Sequence, residues 1–255
     1  KLTVSTRAHA APIAAPHHGA DGAPGHGHAH HPGLAHHFDD LEQQKDSAVY
    51  GMWAFLVQEV MFFGGLFIAY IVYRNLYPDA FAHASNLLDV KLGFVNTMVL
   101  LASSLTMALA VRGGATGSKP TQLIMLVLTI VFGLTFLVIK YFEYASKFEH
   151  HLVPGPTFDP GHMSEWFAQH PEEVPHAKIF FFLYFAMTGV HAAHMIVGAG
   201  LMAWIFLRAK KGEFVPEHHD ALEMSGLYWH FVDIVWIFLF PMIYLLGYHF
   251  GPHHS

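Results

Sequence analysis

The chain has 255 residues, of which 53% are hydrophobic and only 13% charged, too apolar a balance for an ordinary soluble domain and one that puts the membrane class first. A net charge of -6 with no dense basic run anywhere excludes nucleic acid as a partner. With no cysteine, disulfides, thiolate metal sites and thiol chemistry are excluded as well.

Residues 1–48 are dominated by Ala, Pro, Gly and His, as in "APHHGADGAPGHGHAHHPGLAHHFDD", and have too little to bury to fold alone. Their nine histidines keep no fixed ligand spacing, so the segment reads as a polar extramembrane tail held by neighbouring subunits rather than as a metal site. Five apolar runs follow, near 50–74, 92–112, 121–146, 178–208 and 226–249, each long enough to cross roughly 30 Å of hydrocarbon. Lipid offers no hydrogen-bond partner to a bare backbone, and the runs are far longer than the alternating strands of an outer-membrane barrel, so all five are expected to be helices. The predicted fold is an all-α membrane protein, with a five-helix transmembrane domain over 49–250 and a short tail over 251–255. The first run is sized and flanked as a spanning helix, not as a secretory signal.

Eight of the thirteen Lys and Arg lie in the amino-terminal tail and in the second and fourth loops: Lys1, Arg7, Lys45, Arg112, Lys119, Arg208, Lys210 and Lys211. Arg74, Lys91, Lys147 and Lys178 fall on the other side, diluted by acidic residues of the third loop. This bias predicts the amino terminus inside and the carboxyl terminus outside.

Ionisable groups within spanning helices are costly and therefore informative. Glu59, in "GMWAFLVQEVMFFGG", sits about ten residues into the first span and must be protonated, paired or turned into the protein. His191 and His194, in "FAMTGVHAAHMIVGAGL", are spaced i and i+3 on one face of the fourth helix, among small residues that let a neighbour approach. His230 and Asp233, in "YWHFVDIVW", repeat that spacing in the last helix after Glu223; Asp233 can accept from His230 or orient another donor. For Lys140 and Glu143, again i and i+3, a local ion pair is explanation enough. A metal centre needs three or four converging ligands and a haem core several separated histidines, so redox catalysis within this chain is not expected. A structural reading stays open for all of these groups, since buried polar side chains also join helices at about 1 kcal/mol per bond.

The blocks "GMWAFLVQEVMFF", "LGFVNTMVLLASSLTMALAV", "FAMTGVHAAHMIVGAGL" and "LEMSGLYWHFVDIVWIFLFPMIYLLG" resemble, in order from about residue 48 to 248, subunit III of the haem-copper cytochrome c oxidases. The resemblance implies a subunit of a terminal respiratory oxidase that passes electrons from cytochrome c to dioxygen and moves protons across a bacterial-type plasma membrane or an equivalent energy-coupling membrane. It implies no catalytic residue, metal or redox cofactor in this chain. Haem and copper belong to subunits I and II, while subunit III packs on subunit I, supports proton uptake and protects the active site during turnover.

By the same resemblance Glu59, His191, His194, Glu223, His230 and Asp233 form a buried polar cluster supporting proton uptake. Trp53, Asn96, Ser103, Arg208, Tyr228, Trp229 and Trp236 serve helix packing and lipid contact. Many members have seven helices with a phospholipid cleft between the first two and the rest; this chain matches the last five, which leaves bound phospholipid open. The tail is expected to reach further respiratory partners in a supercomplex. An accessory subunit of a quinol oxidase or nitric oxide reductase would share nearly all of these features, and an independent proton-coupled metal transporter is a third reading.

Overall fold

The computed structural model describes residues 41–162, 164–214, 219–245 and 247; the expectations for residues 1–40 and 251–255 lie outside the described residues. The chain forms two compact units, 1–44 and 45–255, and of the first only the opening turn of a helix is described. Five helices among the described residues are long and apolar enough to cross a membrane. They are α1 (Leu41–Leu76), α3 (Val90–Ala115), α4 (Lys119–Glu149), α6 (Val174–Lys211) and α7 (Asp220–Phe240), with a short α2 (Pro78–Ser85) and α5 (Glu165–Gln169) in the connections.

The expected all-α bundle is what the chain forms, with helices that outrun their apolar stretches. The 38 residues of α6 span about 57 Å, nearly twice the hydrocarbon core. α1 starts at Leu41, inside the segment read as tail, because Leu-Glu-Gln-Gln-Lys are good helix formers that the Ala/Pro/Gly composition upstream had masked. The ends have local causes. Asp89 caps α3 by accepting from the Lys91 and Leu92 amides at 2.9 and 3.1 Å, and Gly212, with φ at 81°, closes α6 in the left-handed region. Pro241 brings no N–H, and α7 gives way there to a π-helical turn, Pro241–Leu245.

α3, α4, α6 and α7 pack into a four-helix core, with α2 resting on α6. Trp229 and Trp236 lie at its centre, fully buried. The Trp229 indole needs two bare backbones: a Cβ on Gly133 would come within 2.7 Å of it and one on Gly198 within 3.0 Å. α1 stands further out. Only 17% of its most apolar stretch is buried, against 56% for α7, and it reaches the core through long side chains such as Phe55 on Tyr228, Phe63 on His194 and Tyr70 on Phe180.

Candidate functional site

Glu59 is buried on the inward face of α1, and its Oε2 lies 3.2 Å from His194 Nε2 on α6. The other nitrogen of that ring, Nδ1, is 2.9 Å from the Val190 carbonyl, which can only accept, so Nδ1 carries a hydrogen. Nε2 is therefore the ring nitrogen that meets the carboxyl, and the two groups are of the chemical types that can share a proton. The ring is not aligned on the oxygen, and Oε2 has no hydrogen bond among the described residues. The contact is open, and a small rotation of either side chain changes it. Phe63 packs on the His194 ring at 5.5 Å and Tyr228 donates to the His194 carbonyl at 2.9 Å, so the histidine is positioned while the carboxyl is not.

His191, one turn away, points elsewhere. It is fully buried between Phe136 and Trp236, ring centroids 5.3 and 5.1 Å away, and neither nitrogen has a partner among the described residues. His230 and Asp233 also separate. His230 Nδ1 pairs with the Ser104 hydroxyl on α3 at 2.8 Å. Asp233, buried one turn on, lies close enough to feel the same Ser104 hydroxyl, but neither of its oxygens has a well-aligned hydrogen bond among the described residues. Spacing of i and i+3 placed each pair on a helix; the neighbouring helix decided what each member meets.

The packing residues knit the core as their donors require. Trp229 Nε1 donates to Ser103 at 3.0 Å and Trp236 Nε1 to Thr97 at 3.1 Å, both across the α3–α7 seam. Asn96 is buried there with neither amide atom partnered among the described residues. Glu223 is not in the buried cluster: it sits in the first turn of α7 with Oε1 3.0 Å from His219 Nε2, where the free N–H groups of the helix favour an acid. Arg208 bonds Glu213 at 2.6 Å and stacks over Trp204, while Trp53 is exposed on the outside of α1.

Lys140 and Glu143 are more than the local ion pair expected of them. They are 3% and 2% exposed, and three elements converge on them. Lys140 Nζ donates to Glu143 Oε2 at 2.8 Å and to the Tyr244 hydroxyl at 2.6 Å, and lies 4.6 Å from the centre of the Trp236 ring. Glu143 Oε1 accepts from Tyr184 at 3.0 Å and from Tyr244 at 2.5 Å. The tyrosines belong to α6 and to the π-helical turn. Two tyrosines among many aromatics carry no mark of this role, and only the proline before Tyr244 hinted that the backbone turns there.

No group of three or more metal-ligating side chains occurs among the described residues. The arrangement can hold protons and join helices. A sequence model of cytochrome c oxidase subunit III matches residues 36–150 and 176–248. The chain belongs to the cytochrome c oxidase subunit III family.

Among its relatives, the cytochrome c oxidase subunit 3 of Loxodonta africana is 32% identical over 80% of this chain and 71% of its own length. That of Equus caballus is 33% identical over 78% of this chain and 69% of its own. That of the bacterium Alkalihalophilus pseudofirmus is 29% identical over 84% and 94% respectively. Membership of this family favours the oxidase reading over the independent transporter. Every site residue named above falls within the matched residues, whereas the unmatched 151–175 cover the connection that carries α5.

Proposed function

We propose that this subunit III chain serves a terminal oxidase as a non-catalytic membrane partner of subunits I and II, and that Glu59 and His194 together hold a proton available to the protein they pack against. The observation that carries the proton role is the open Glu59–His194 contact, a buried carboxyl within a spanning helix with a basic nitrogen 3.2 Å away and no aligned hydrogen bond among the described residues. Haem or copper does not fit the described spanning histidines: His191 is walled by aromatic rings, His194 faces Glu59 and His230 is engaged by Ser104. In this reading haem and copper belong to subunits I and II and cytochrome c is the donor, as the likeness to subunit III suggests. The chain lies in a bacterial-type or equivalent energy-coupling membrane, amino terminus inside, with the histidine-rich tail turned to a supercomplex neighbour.

Tagging this chain, purifying it in mild detergent and recording reduced-minus-oxidised spectra with cytochrome c oxidation should return haem bands and oxygen uptake with the tag. Purification without haem, under conditions that preserve the oxidase, would remove the subunit reading. In the complex, Glu59→Gln should leave the initial rate near that of the parent and shorten the number of turnovers before activity decays. Decay identical to the parent's would leave Glu59 with a packing role alone.

A further inference from the structure

Tyr228 belongs to α7, yet its hydroxyl ends beside the Glu59–His194 contact, and three observations place it there. Its Oη donates to the His194 carbonyl at 2.9 Å. Its ring centre lies 5.9 Å from that of Phe55, one helical turn before Glu59 on α1. On the α6 side the ring rests on the bare backbone of Gly198, one turn after His194, where a Cβ would come within 3.0 Å of it. The phenol is wedged between the same two helices that bring Glu59 Oε2 to 3.2 Å from His194 Nε2, and the Glu59 charge reaches it. Buried and held on three sides, Tyr228 is fixed, whereas the Glu59 carboxyl is free to turn.

Donor counting decides what this hydroxyl can do. A phenol has one hydrogen, and that of Tyr228 is spent on the His194 carbonyl. Its oxygen is left able only to accept. A carboxylate has no hydrogen to give it and is repelled by the phenol oxygen; a protonated carboxyl has the hydrogen it needs. His194 Nε2 is less selective: with Nδ1 carrying a hydrogen, it accepts from a carboxylic acid when the ring is neutral and donates to a carboxylate when the ring is charged. The two neighbours of Glu59 therefore make different demands. His194 suits either state of the carboxyl, and Tyr228 suits the neutral one alone.

We propose that Tyr228 is a positioning residue for the proton of Glu59: the protonated carboxyl turns from His194 and donates to the Tyr228 oxygen, which holds it neutral until it turns back. In the first position the O–H bond stays on Glu59. In the second the proton passes to His194 Nε2, leaving imidazolium and carboxylate against each other. Gln58, next in the chain, is exposed on the outside of α1 and does not compete. The titratable groups facing Glu59 are His194 from α6 and Tyr228 from α7. The assignment rests on the proton role proposed above for Glu59 and His194, and adds the group that decides where the proton waits.

The test is infrared difference spectroscopy of the intact complex. Subtracting the spectrum of Glu59→Gln from that of the parent isolates the protonated-carboxyl band of Glu59, and the same subtraction is made with Tyr228→Phe in both members. In the parent the band should lie at the lower frequency of a hydrogen-bonded acid. In Tyr228→Phe, which keeps the ring and loses the oxygen, it should move up toward the frequency of a free acid, a change that loss of helix packing alone would not produce. A second measurement needs no Tyr228 variant: with ring-labelled tyrosine, the parent minus Glu59→Gln spectrum should contain a label-sensitive phenol C–O band. A Glu59 band that keeps its frequency in Tyr228→Phe, or a parent spectrum with no tyrosine signal, would overturn the role of Tyr228 and leave the Glu59–His194 reading in place. If no carboxyl band disappears in Glu59→Gln at any pH the complex tolerates, there is no neutral acid to position, and both readings fall together.

Discussion

Two buried carboxylates, Glu59 and Glu143, occupy this bundle in opposite ways. Glu143 has both oxygens engaged, by an ammonium and two phenols from α4, α6 and the turn after α7, in a network with few unused bonds. Among the described residues Glu59 has one polar contact, unaligned, to a histidine whose other nitrogen is already committed. A satisfied network is hard to disturb and fixes geometry. An open pair of ionisable groups can change protonation without dismantling the fold. The difference follows the packing: Glu143 belongs to the four-helix core, Glu59 to the loosely applied α1.

The largest expected effect is therefore at Glu143. Glu143→Ala would strand Lys140 and two hydroxyls in a closed interior and should lower stability by about 3–5 kcal/mol. Replacing the pair together, Lys140→Met with Glu143→Leu, should recover most of that loss, since a removed ion pair leaves no orphaned charge. Thermal unfolding of the purified complex checks both; a double variant as unstable as the single would mean that the network acts through something other than charge compensation. Tyr244→Phe, which removes a donor to Glu143 and an acceptor from Lys140, should cost about 1–3 kcal/mol. By contrast Glu59→Gln should change stability by no more than about 1 kcal/mol, the scale of an interhelical polar contact in lipid. Equal destabilisation at the two sites would erase the comparison.

Asp233 sharpens it further. Its oxygens have no hydrogen bonds among the described residues, so Asp233→Asn should leave assembly intact and, if the residue lines a proton route, slow turnover. Unchanged assembly together with unchanged turnover would remove it from the proton reading.

The helices were legible because a bilayer imposes length and hydropathy on any segment that crosses it, and Glu59, His191, His194, His230 and Asp233 were legible because each is expensive where it lies. Their partners were not. Pairing of Glu59 with His194, and of His230 with Ser104 rather than Asp233, depends on how α1 meets α6 and α3 meets α7, which one-helix spacing does not encode. The Glu143 network was hidden for the same reason: Tyr184 and Tyr244 read as ordinary wall residues until the π-helical turn brings the second beside the first.

The smallest effect is expected at the other margin of the molecule, in the unmatched connection. His83 on α2 stacks on Trp166 at 4.0 Å, and His170 stacks on the same indole at 4.6 Å. Partial burial pushes the His83 imidazole below its ordinary 6.5, opposed by nearby Asp79 and reinforced by His170. When α2 lifts away, His83 regains the ordinary value, so the undocked form binds the extra proton. Docking is thus strongest above about pH 6.5 and weakens as pH falls through that value toward the lowered one of the docked ring. The loss is modest, because Phe81 and Ala84 stay buried and Ser85 still donates to the Ile243 carbonyl at 2.6 Å. Hydrogen exchange over residues 78–85 should quicken between about pH 8 and about pH 5.5, after correction for intrinsic rates, and His83→Phe should keep the stack and abolish that change. A pH response that survives His83→Phe would overturn the assignment of that proton to His83.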